Sequence, residues 1–265
     1  MAKNDVRVHK TDRVYTNKLL NEDTPFAVAE AFKALRTNMF YVAGNEKCPV
    51  FGITSAYAHT GKSVVISNSA LSFAQLGKRV LLIDADMRCP VAHKIFMIKN
   101  RKGLSEILAT ADGSDVSEYA QNVAPGLDVI TSGRIPPNPS ELLASAYMRK
   151  FLDKAKEVYD YIFIDMPPIC EVSDAGVLVD CVSGYIFVVR SGMTDRRAVT
   201  SALGILKQMQ AKILGIVMNA VDPKRNTYGN KKYSKYNYYA KHGYSNYEEE
   251  YKRNIEESMT ENHHH

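Results

Sequence analysis

The sequence predicts an α/β fold with a mostly parallel sheet and helices on both faces. Short apolar runs rich in Val, Ile and Phe alternate with longer stretches of helical character, which is typical of parallel strands joined by crossover helices. The first run leads into the loop FGITSAYAHTGKS (51–63), and two later runs end in aspartate. Such strand ends predict a ligand-binding crevice at the carboxyl edge of the sheet.

One loop carries the most specific pattern. Val50 to Ile53 is a predicted buried strand, and Gly61, Lys62 and Ser63 open the helix that follows. This context indicates a phosphate-binding loop. Lys62 would supply a cation to the outer phosphates, and Ser63 would place its hydroxyl on a magnesium ion. Because Ala56 stands where the strict pattern has its first glycine, an ordinary glycine-bearing helix entry is the alternative.

Two further strand ends carry carboxylates. Val80–Ile83 leads into Asp84 and Asp86, which lie on the same side of an extended chain, and Tyr161–Ile164 leads into Asp165. A hydrophobic strand that ends in Asp is the second half of a phosphate-loop nucleotide site, where the carboxylate orders magnesium or its water shell. For Asp84 and Asp86 the alternative is a pair of solvated loop acids, which is weakened because an apolar run leads straight into them.

The other elements complete an alternating pattern with about six strands. Asn138 (N-cap), Pro139 and Glu141 predict the start of one long helix that runs to Tyr159. Short segments then supply the rest: helices at 103–110, at 173–180 and after the expected cap Thr194, and strands at 127–131, 184–190 and 212–219. Right-handed crossovers follow from the handedness of parallel units.

The N-terminal region divides into an arm and a helix. Residues 1–23 are polar and lack a sustained period, which predicts a flexible or draped arm before a domain at 24–222. Thr24 as N-cap and Pro25 at the first position predict a helix that ends near Gly44. Along it, three charged residues recur at every third position, for which a solvated face is the simplest interpretation: Glu30, Lys33 and Arg36.

Composition limits the classes of protein. The chain has 265 residues, a formal net charge of +5 and 45% hydrophobic residues, which suits one large domain with a tail. No apolar run could span a bilayer and no apolar signal region is present, so we expect a cytoplasmic protein. The four cysteines lack metal-ligand spacing and are expected to be free thiols. The terminal residues 263–265 are His-His-His and resemble the remains of a purification tag.

The C-terminal segment 223–265 differs from the domain. No apolar period accompanies its many tyrosines, so they cannot all belong to a core, and we expect a flexible tail. Between residues 224 and 251, six Lys and Arg against three Glu give a formal charge of +3. The same span holds eight tyrosines: Tyr228, Tyr233, Tyr236, Tyr238, Tyr239, Tyr244, Tyr247 and Tyr251.

From about Glu30 to Asn219, and again in the tyrosine tail, the sequence resembles the bacterial tyrosine kinases (BY-kinases) of capsule and exopolysaccharide synthesis. The loop ending in Gly61-Lys62-Ser63 is similar to the family's Walker A motif, LLIDADMR (81–88) to its Walker A′ and FIDMPP (163–168) to its Walker B. SDA (173–175) and GRIPPNPSELLAS (133–145) also resemble family segments. No eukaryotic-type kinase signature is present.

The resemblance implies an ATP-dependent protein-tyrosine kinase of P-loop NTPase-like fold that uses Mg²⁺ and modifies its own tyrosine cluster in trans. It implies Lys62, Asp84, Asp86 and Asp165 as catalytic residues, with Asp84 as the most suitable proton acceptor, and Ser63 with the three aspartates around the metal. Asn219 would lie near the adenine. The loop contacts to the nucleotide would come from Ala58, His59, Thr60, Gly61, Lys62, Ser63 and Val64.

The resemblance also implies partners. Glu30, Lys33 and Arg36 fall on the family's Glu-x-x-Arg-x-x-Arg oligomerisation motif, with Lys33 in place of the first Arg, so a ring-shaped homo-oligomer, an octamer in the family, is expected. A membrane-bound activator and a cognate phosphatase are expected as well, with the kinase peripheral at the inner face of the cell membrane. Arg88 would stabilise transferred charge or form a structural ion pair.

Two departures from the family pattern concern geometry. Ala58-His59-Thr60 replaces the usual Pro-Gly-Glu, so a side chain stands where the close approach of backbone to phosphate favours glycine. Lys33 lacks the planar bidentate fork of Arg, which predicts weaker ring contacts.

Two other classes are weighed. A positioning ATPase of the ParA/MinD type would carry a signature Lys where Tyr57 stands, and its membrane-binding relatives need an amphipathic C-terminal helix that this tail lacks. A nucleic-acid-binding module would suit the Lys and Tyr of the tail but leave the phosphate loop and three aspartates unexplained. No nucleic-acid partner is therefore expected.

Overall fold

The computed structural model describes residues 18–110 and 116–222. Within them, seven strands form one sheet in the order β3-β4-β2-β5-β1-β6-β7. All neighbouring strands are parallel except β3 and β4. The strands are β1 (Val50–Ser55), β2 (Val80–Asp84), β3 (Gln121–Ala124), β4 (Leu127–Ile130), β5 (Tyr161–Asp165), β6 (Gly184–Arg190) and β7 (Ile213–Asn219).

Helices cover both faces, as the sequence predicts. They are α1 (Phe26–Ala43), α2 (Lys62–Ala74), α3 (Ala92–Ile95), α4 (Leu104–Thr110), α5 (Val116–Tyr119), α6 (Pro139–Leu143), α7 (Ala146–Val158) and α8 (Arg196–Gln208), with a 3₁₀ helix at Gly176–Cys181. α1, α2 and α3 pack on one face, around Phe51, Phe73 and Phe163. α4 to α8 pack on the other, around residues such as Ile162 and Phe187.

The sheet contains one strand that the sequence reasoning missed. β3 is only four residues long, half exposed, and antiparallel to β4. Its residues are too polar to show as a buried run. The Pro125-Gly126 dipeptide between the two strands is the signal that could have identified this hairpin, because Pro-Gly marks tight turns.

The predicted long helix from Glu141 to Tyr159 is wrong, because the structure contains two helices. α6 ends at Leu143, and Ser145 has the extended backbone (ψ 154°) that starts α7. Asn138 occupies the N-cap position of α6, but its side chain donates to the Glu141 carboxylate at 2.8 Å rather than to the helix backbone. The family-like segment 133–145 therefore forms a turn and a separate short helix, which packs against α4, α7 and the 3₁₀ helix.

Two predicted caps are wrong as well. Asp195, not Thr194, caps α8 by accepting from the Ala198 N–H at 2.8 Å. Thr194 instead accepts from the Arg190 N–H. Thr24 likewise closes a local turn with Asn21, so α1 begins at Phe26 without a side-chain cap.

The described part of the N-terminal arm is draped over α2. The buried amide of Asn68 accepts from the Leu20 N–H at 2.7 Å and donates to the Lys18 carbonyl at 2.8 Å. α1 then ends at Gly44, as predicted, where φ is +63°. Within residues 18–110 and 116–222, no helix is long and apolar enough to cross a membrane.

Candidate nucleotide-binding site

The carboxyl ends of three parallel strands meet at the centre of the sheet. β5 lies between β1 and β2, with Asp165 beside Ile53 of β1 and beside Asp84 of β2. The loop after β1 runs from this edge into α2, whose first residue is Lys62. The topology therefore brings the loop and both acidic strand ends into one crevice, as predicted.

The loop reaches α2 through two residues with left-handed backbone. Gly61 has φ +85°, and a Cβ there would collide with the Asn219 side chain, so glycine is required at this position. His59 has φ +62° and an exposed side chain. The resemblance implies glycine at position 59, where the observed backbone gives glycine a conformational advantage, and this chain has histidine there.

Lys62 lies inside a group of carboxylates. Its ammonium is 2.9 Å from Asp86 Oδ2 and 3.5 Å from Asp165 Oδ1, with the Ser63 hydroxyl at 3.5 Å. Burial acts to lower the pKa of Lys62, but Asp165, Asp86 and Asp84 together raise it above its ordinary value. The lysine is therefore charged over the whole physiological pH range.

Asp84 is completely buried and held by backbone donors. Its Oδ1 accepts from the Asp86 N–H at 3.2 Å, and its Oδ2 accepts from the N–H groups of Val91 and Ala92 at 3.1 and 3.0 Å. Burial, followed by the charge of Asp165, raises the pKa of Asp84. This carboxylate is both fixed in position and more basic than an exposed one.

Asp86 connects the Walker A′-like segment to the lysine. Its Oδ2 receives the Lys62 hydrogen bond, and its Oδ1 accepts from the Cys89 N–H at 3.0 Å. Asp165 is also buried, which raises its pKa, while Lys62 acts in the opposite direction. By formal count, three carboxylates face one ammonium, a net charge of −2.

This charge imbalance fits a divalent cation. In the described residues, no three His, Cys, Asp or Glu side chains converge as a ready metal site. Mg²⁺ bound with a nucleotide, however, takes only one or two protein oxygens and completes its octahedron with phosphate oxygens and water. Ser63, Asp86 and Asp165 carry the oxygens nearest to Lys62, so they suit that mode better than a cage made of protein ligands alone.

Asn219, which the resemblance places near the adenine, contacts the phosphate loop. The Asn219 Nδ2 donates to the Thr60 carbonyl at 2.9 Å, and its Oδ1 accepts from the Ala220 N–H. Asn219 therefore lies against the phosphate loop. The remaining loop residues Ala58 and Val64 are half-buried at the same crevice.

Arg88 forms the structural ion pair that was one of its two expected roles. Its Nε and Nη2 donate to the two carboxylate oxygens of fully buried Asp174, at 2.8 and 3.1 Å. The Ser140 hydroxyl makes a short hydrogen bond to the same carboxylate. The sequence showed SDA only as a resemblance and NPSE as a helix start and a resemblance, so neither segment indicated an ion pair. Their Asp174 and Ser140 prove to be the residues that anchor the Walker A′-like segment.

The expected oligomerisation residues lie on α1, where two of the three contact each other. Lys33 donates to Glu30 at 2.6 Å, one turn apart on the exposed side of the helix. Arg36 turns inward and donates to the carbonyl and hydroxyl of Ser72 at 2.7 and 3.0 Å. The eight tyrosines expected to be modified lie outside the described residues.

The fold and the crevice define a P-loop NTPase-like protein. A family model described as an AAA domain matches residues 55–213. The chain is 36% identical to the tyrosine-protein kinase YwqD of Bacillus subtilis over 236 residues, which is 88% of this chain and 95% of that protein. Among solved structures, the kinase domain of the Escherichia coli tyrosine kinase ETK matches with a TM-score of 0.70 and 37% identity, over 77% of this chain and 79% of that one.

The chain belongs to the bacterial tyrosine-protein kinase family. The resemblance in the sequence is thereby confirmed, together with the fold class and the enzyme class that it implied. ATP binding follows from the family, because these kinases are P-loop proteins.

The positioning-ATPase alternative shares only the architecture. A ParA family ATPase from Chlorobium tepidum matches with a TM-score of 0.56 at 21% identity, over 67% of this chain and 75% of that one. Identity at that level shows a common fold alone.

Proposed function

We propose that this kinase transfers the γ-phosphate of MgATP to tyrosine hydroxyl groups of its own C-terminal segment, in trans, and thereby regulates capsular or exopolysaccharide synthesis. One observation carries the proposal: Lys62, at the start of α2, lies 2.9 Å from Asp86 and 3.5 Å from Asp165 in the crevice where the phosphate loop ends. Phosphoryl transfer asks a protein mainly for positioning and charge compensation, and this group supplies both.

The residues divide by role. Lys62 binds the β- and γ-phosphates, and the backbone from Ala58 to Val64 binds the rest of the triphosphate at the positive end of α2. Ser63 and the three aspartates Asp84, Asp86 and Asp165 surround the magnesium ion, and the oxygens of Ser63, Asp86 and Asp165 lie nearest to Lys62. When bound, Mg²⁺ neutralises charge on the phosphate oxygens. Because Lys62 keeps its proton at physiological pH, it remains available as a cation to the phosphates throughout the reaction.

The substrate tyrosine must lose a proton whose ordinary pKa is about 10. We assign its acceptance to the paired carboxylates, with Asp84 as the first candidate, because burial raises the pKa of Asp84 and so makes it the stronger base. Asp86 is the second candidate, because it is slightly more open to the crevice, 4% against 0% exposed.

The proposal includes an assembly. α1 presents Glu30 and Lys33 on its exposed side, which suits contacts with a second copy in a ring, an octamer by resemblance. A membrane-bound activator and a phosphatase complete the cycle, with the kinase peripheral at the membrane through the activator.

Incubation with MgATP followed by phosphotyrosine blotting tests the function. The purified chain should label itself, and Lys62→Met should not, whereas Lys207→Met, on the exposed side of α8, should label like the unchanged protein. Thermal unfolding accompanies the blots, because Lys62→Met also leaves two buried carboxylates without their cation. ATP hydrolysis without phosphotyrosine would instead identify a positioning ATPase. Undiminished labelling by Lys62→Met would refute the site.

A further inference from the structure

The tip of the phosphate loop, Tyr57–Thr60, is held from outside at every residue. Ser55 donates its hydroxyl to the Tyr57 carbonyl at 2.8 Å, and Glu171 accepts from the Ala58 N–H at 2.9 Å. Arg190 donates through Nη1 to the His59 carbonyl at 3.0 Å, and Asn219 donates to the Thr60 carbonyl at 2.9 Å. Each of these four side chains comes from a strand end or from the segment after β5.

His59 is the residue at which the loop most needs such support. Its φ of +62° lies in the left-handed region, which a side chain disfavours and glycine does not. A residue persists in that conformation only when its surroundings determine it. Of the four contacts, only the hydrogen bond from Arg190 is made to the backbone of His59 itself.

Arg190 is placed to give this support by the sheet. It is the last residue of β6 and pairs in register with Asn219, the last residue of β7. The two side chains therefore leave neighbouring strand ends together and bind consecutive loop carbonyls. Among the described residues, 18–110 and 116–222, no carboxylate forms an ion pair with the Arg190 guanidinium. The guanidinium therefore donates to the His59 carbonyl and forms no salt bridge among the described residues.

We propose that Arg190 is a positioning residue for the nucleotide: it holds His59 in the left-handed conformation and so keeps the phosphate loop shaped for the triphosphate. The inference rests on the proposed function, since it concerns the same ATP site. Arg190 substitutes for the conformational freedom that glycine would have supplied at position 59. The loop with histidine depends on Arg190, and a loop with glycine there would not.

A double-mutant cycle tests this dependence. The variants are Arg190→Ala, His59→Gly and the pair together, with Arg190→Lys as the conservative variant. Arg197→Ala, an exposed arginine on α8, is the matched control for loss of one positive charge. Calorimetry measures the Kd of the protein for the Mg²⁺ complex of a non-hydrolysable ATP analogue. Kinetic assays give kcat and the KM for ATP, and thermal unfolding gives the midpoint of each variant.

Arg190→Ala should raise the Kd and the KM roughly tenfold, the size expected for losing one charge-assisted hydrogen bond, with a much smaller change in kcat. Arg190→Lys should recover part of the loss, because an ammonium can still donate to the carbonyl. In the His59→Gly background, the Arg190→Ala loss should shrink to about twofold or less, since glycine adopts the conformation unaided.

An Arg190→Ala variant that binds the analogue like Arg197→Ala would overturn the inference. So would a loss of equal size with histidine and with glycine at position 59, because that result would make Arg190 a direct phosphate ligand or a general structural residue. The behaviour of the unchanged protein distinguishes a failure of the proposed kinase function from a failure of the positioning role of Arg190. If it neither binds the analogue nor labels itself, the proposed function fails. If it does both while Arg190→Ala behaves like the control, only the positioning role fails.

Discussion

Asp84 and Asp165 occupy partner positions on the neighbouring parallel strands β2 and β5, so two buried carboxylates stand side by side at the end of the sheet. Lys62 lies 3.5 Å from Asp165 and 2.9 Å from Asp86, and it is the cation that this acidic group shares. The arrangement raises the pKa of both groups, so the lysine stays charged for binding phosphate and Asp84 becomes a stronger base for accepting a proton.

The two candidate bases should separate by kinetics. If Asp84 accepts the tyrosine proton, Asp84→Asn should lower kcat by about 10² to 10⁴, the usual size of a general-base contribution. Asp86→Asn should chiefly raise the KM for ATP, because Asp86 positions Lys62. Asp153→Asn, on the surface of α7, is the control. The reverse pattern, a kcat effect confined to Asp86→Asn, would move the role to Asp86.

Stability without nucleotide or metal should depend on pH in a particular direction. The folded pKa of Asp84 is raised above its unfolded value, so the folded state binds more protons than the unfolded state between these two pKa values. The free energy of unfolding therefore falls as pH rises through that window. Urea unfolding in EDTA from pH 4 to pH 8 should show the fall, and Asp165→Asn should flatten it. An equal slope in both proteins would contradict the coupling.

Asn219 should contribute equally to the binding affinity for adenine and guanine nucleotides. Its amide binds the Thr60 carbonyl and the Ala220 N–H, so it acts through the phosphate loop. Asn219→Ala should weaken the binding of ADP and of GDP by the same factor, roughly 3- to 10-fold for the loss of one partly buried hydrogen bond. Calorimetry with both nucleotides measures it. A loss confined to ADP would show that Asn219 reads the adenine, as the family resemblance implied.

The pair Arg88–Asp174 should hold the Walker A′-like segment in place. Burial acts to raise the pKa of Asp174, but hydrogen bonds from Arg88 and Ser140 lower it overall. Arg88→Ala leaves this buried carboxylate without its cation and should cost about 3 kcal/mol in urea unfolding. Asp174→Asn combined with Arg88→Ala should cost less than the sum of the two single changes. Strict additivity would mean that the pair contributes nothing as a pair.

Phosphorylation of the tail should change the assembly state. The segment 224–251 carries a formal charge of +3, and each phosphate adds about −1.5 to −2, so two or three phosphates reverse its sign. A tail drawn to the acidic crevice of a neighbour would then be repelled from it. Light scattering after size exclusion should show an oligomer after phosphatase treatment and a monomer after incubation with MgATP. Equal masses would refute the switch.

The sequence located the central group well because each member ends a strongly apolar strand or opens a helix. Lys62, Asp84 and Asp165 follow local patterns a few residues long, and parallel pairing then brings them to one edge. The role of Asp174 was not predicted, because its partner Arg88 lies 86 residues away and no local sequence pattern indicates the ion pair. The hydrogen bond between Arg190 and His59 joins residues 131 positions apart, so it could not be predicted from local patterns either.

The sequence did not reveal strand β3 or the helix break at Ser145, because no local sequence pattern marks either feature. β3 is polar and half exposed, so no apolar run announces it. The break at Ser145 interrupts a stretch that contains neither glycine nor proline, and the buried Ser145 hydroxyl has no hydrogen-bond partner among the described residues. Pairing with β4 accounts for β3, whereas the contacts of the described residues do not explain the break at Ser145.

The position of Asn219 also sets the reach of the substrate segment. This residue touches the phosphate loop and ends β7, and the chain continues from it towards the tyrosines. Tyr228 follows nine residues later and Tyr251 follows after 32, so a fully extended chain carries them at most about 30 Å and about 110 Å from that point. Contour length alone thus keeps the first tyrosine within about 30 Å of its own crevice, whereas the last can reach a site more than three times as far away.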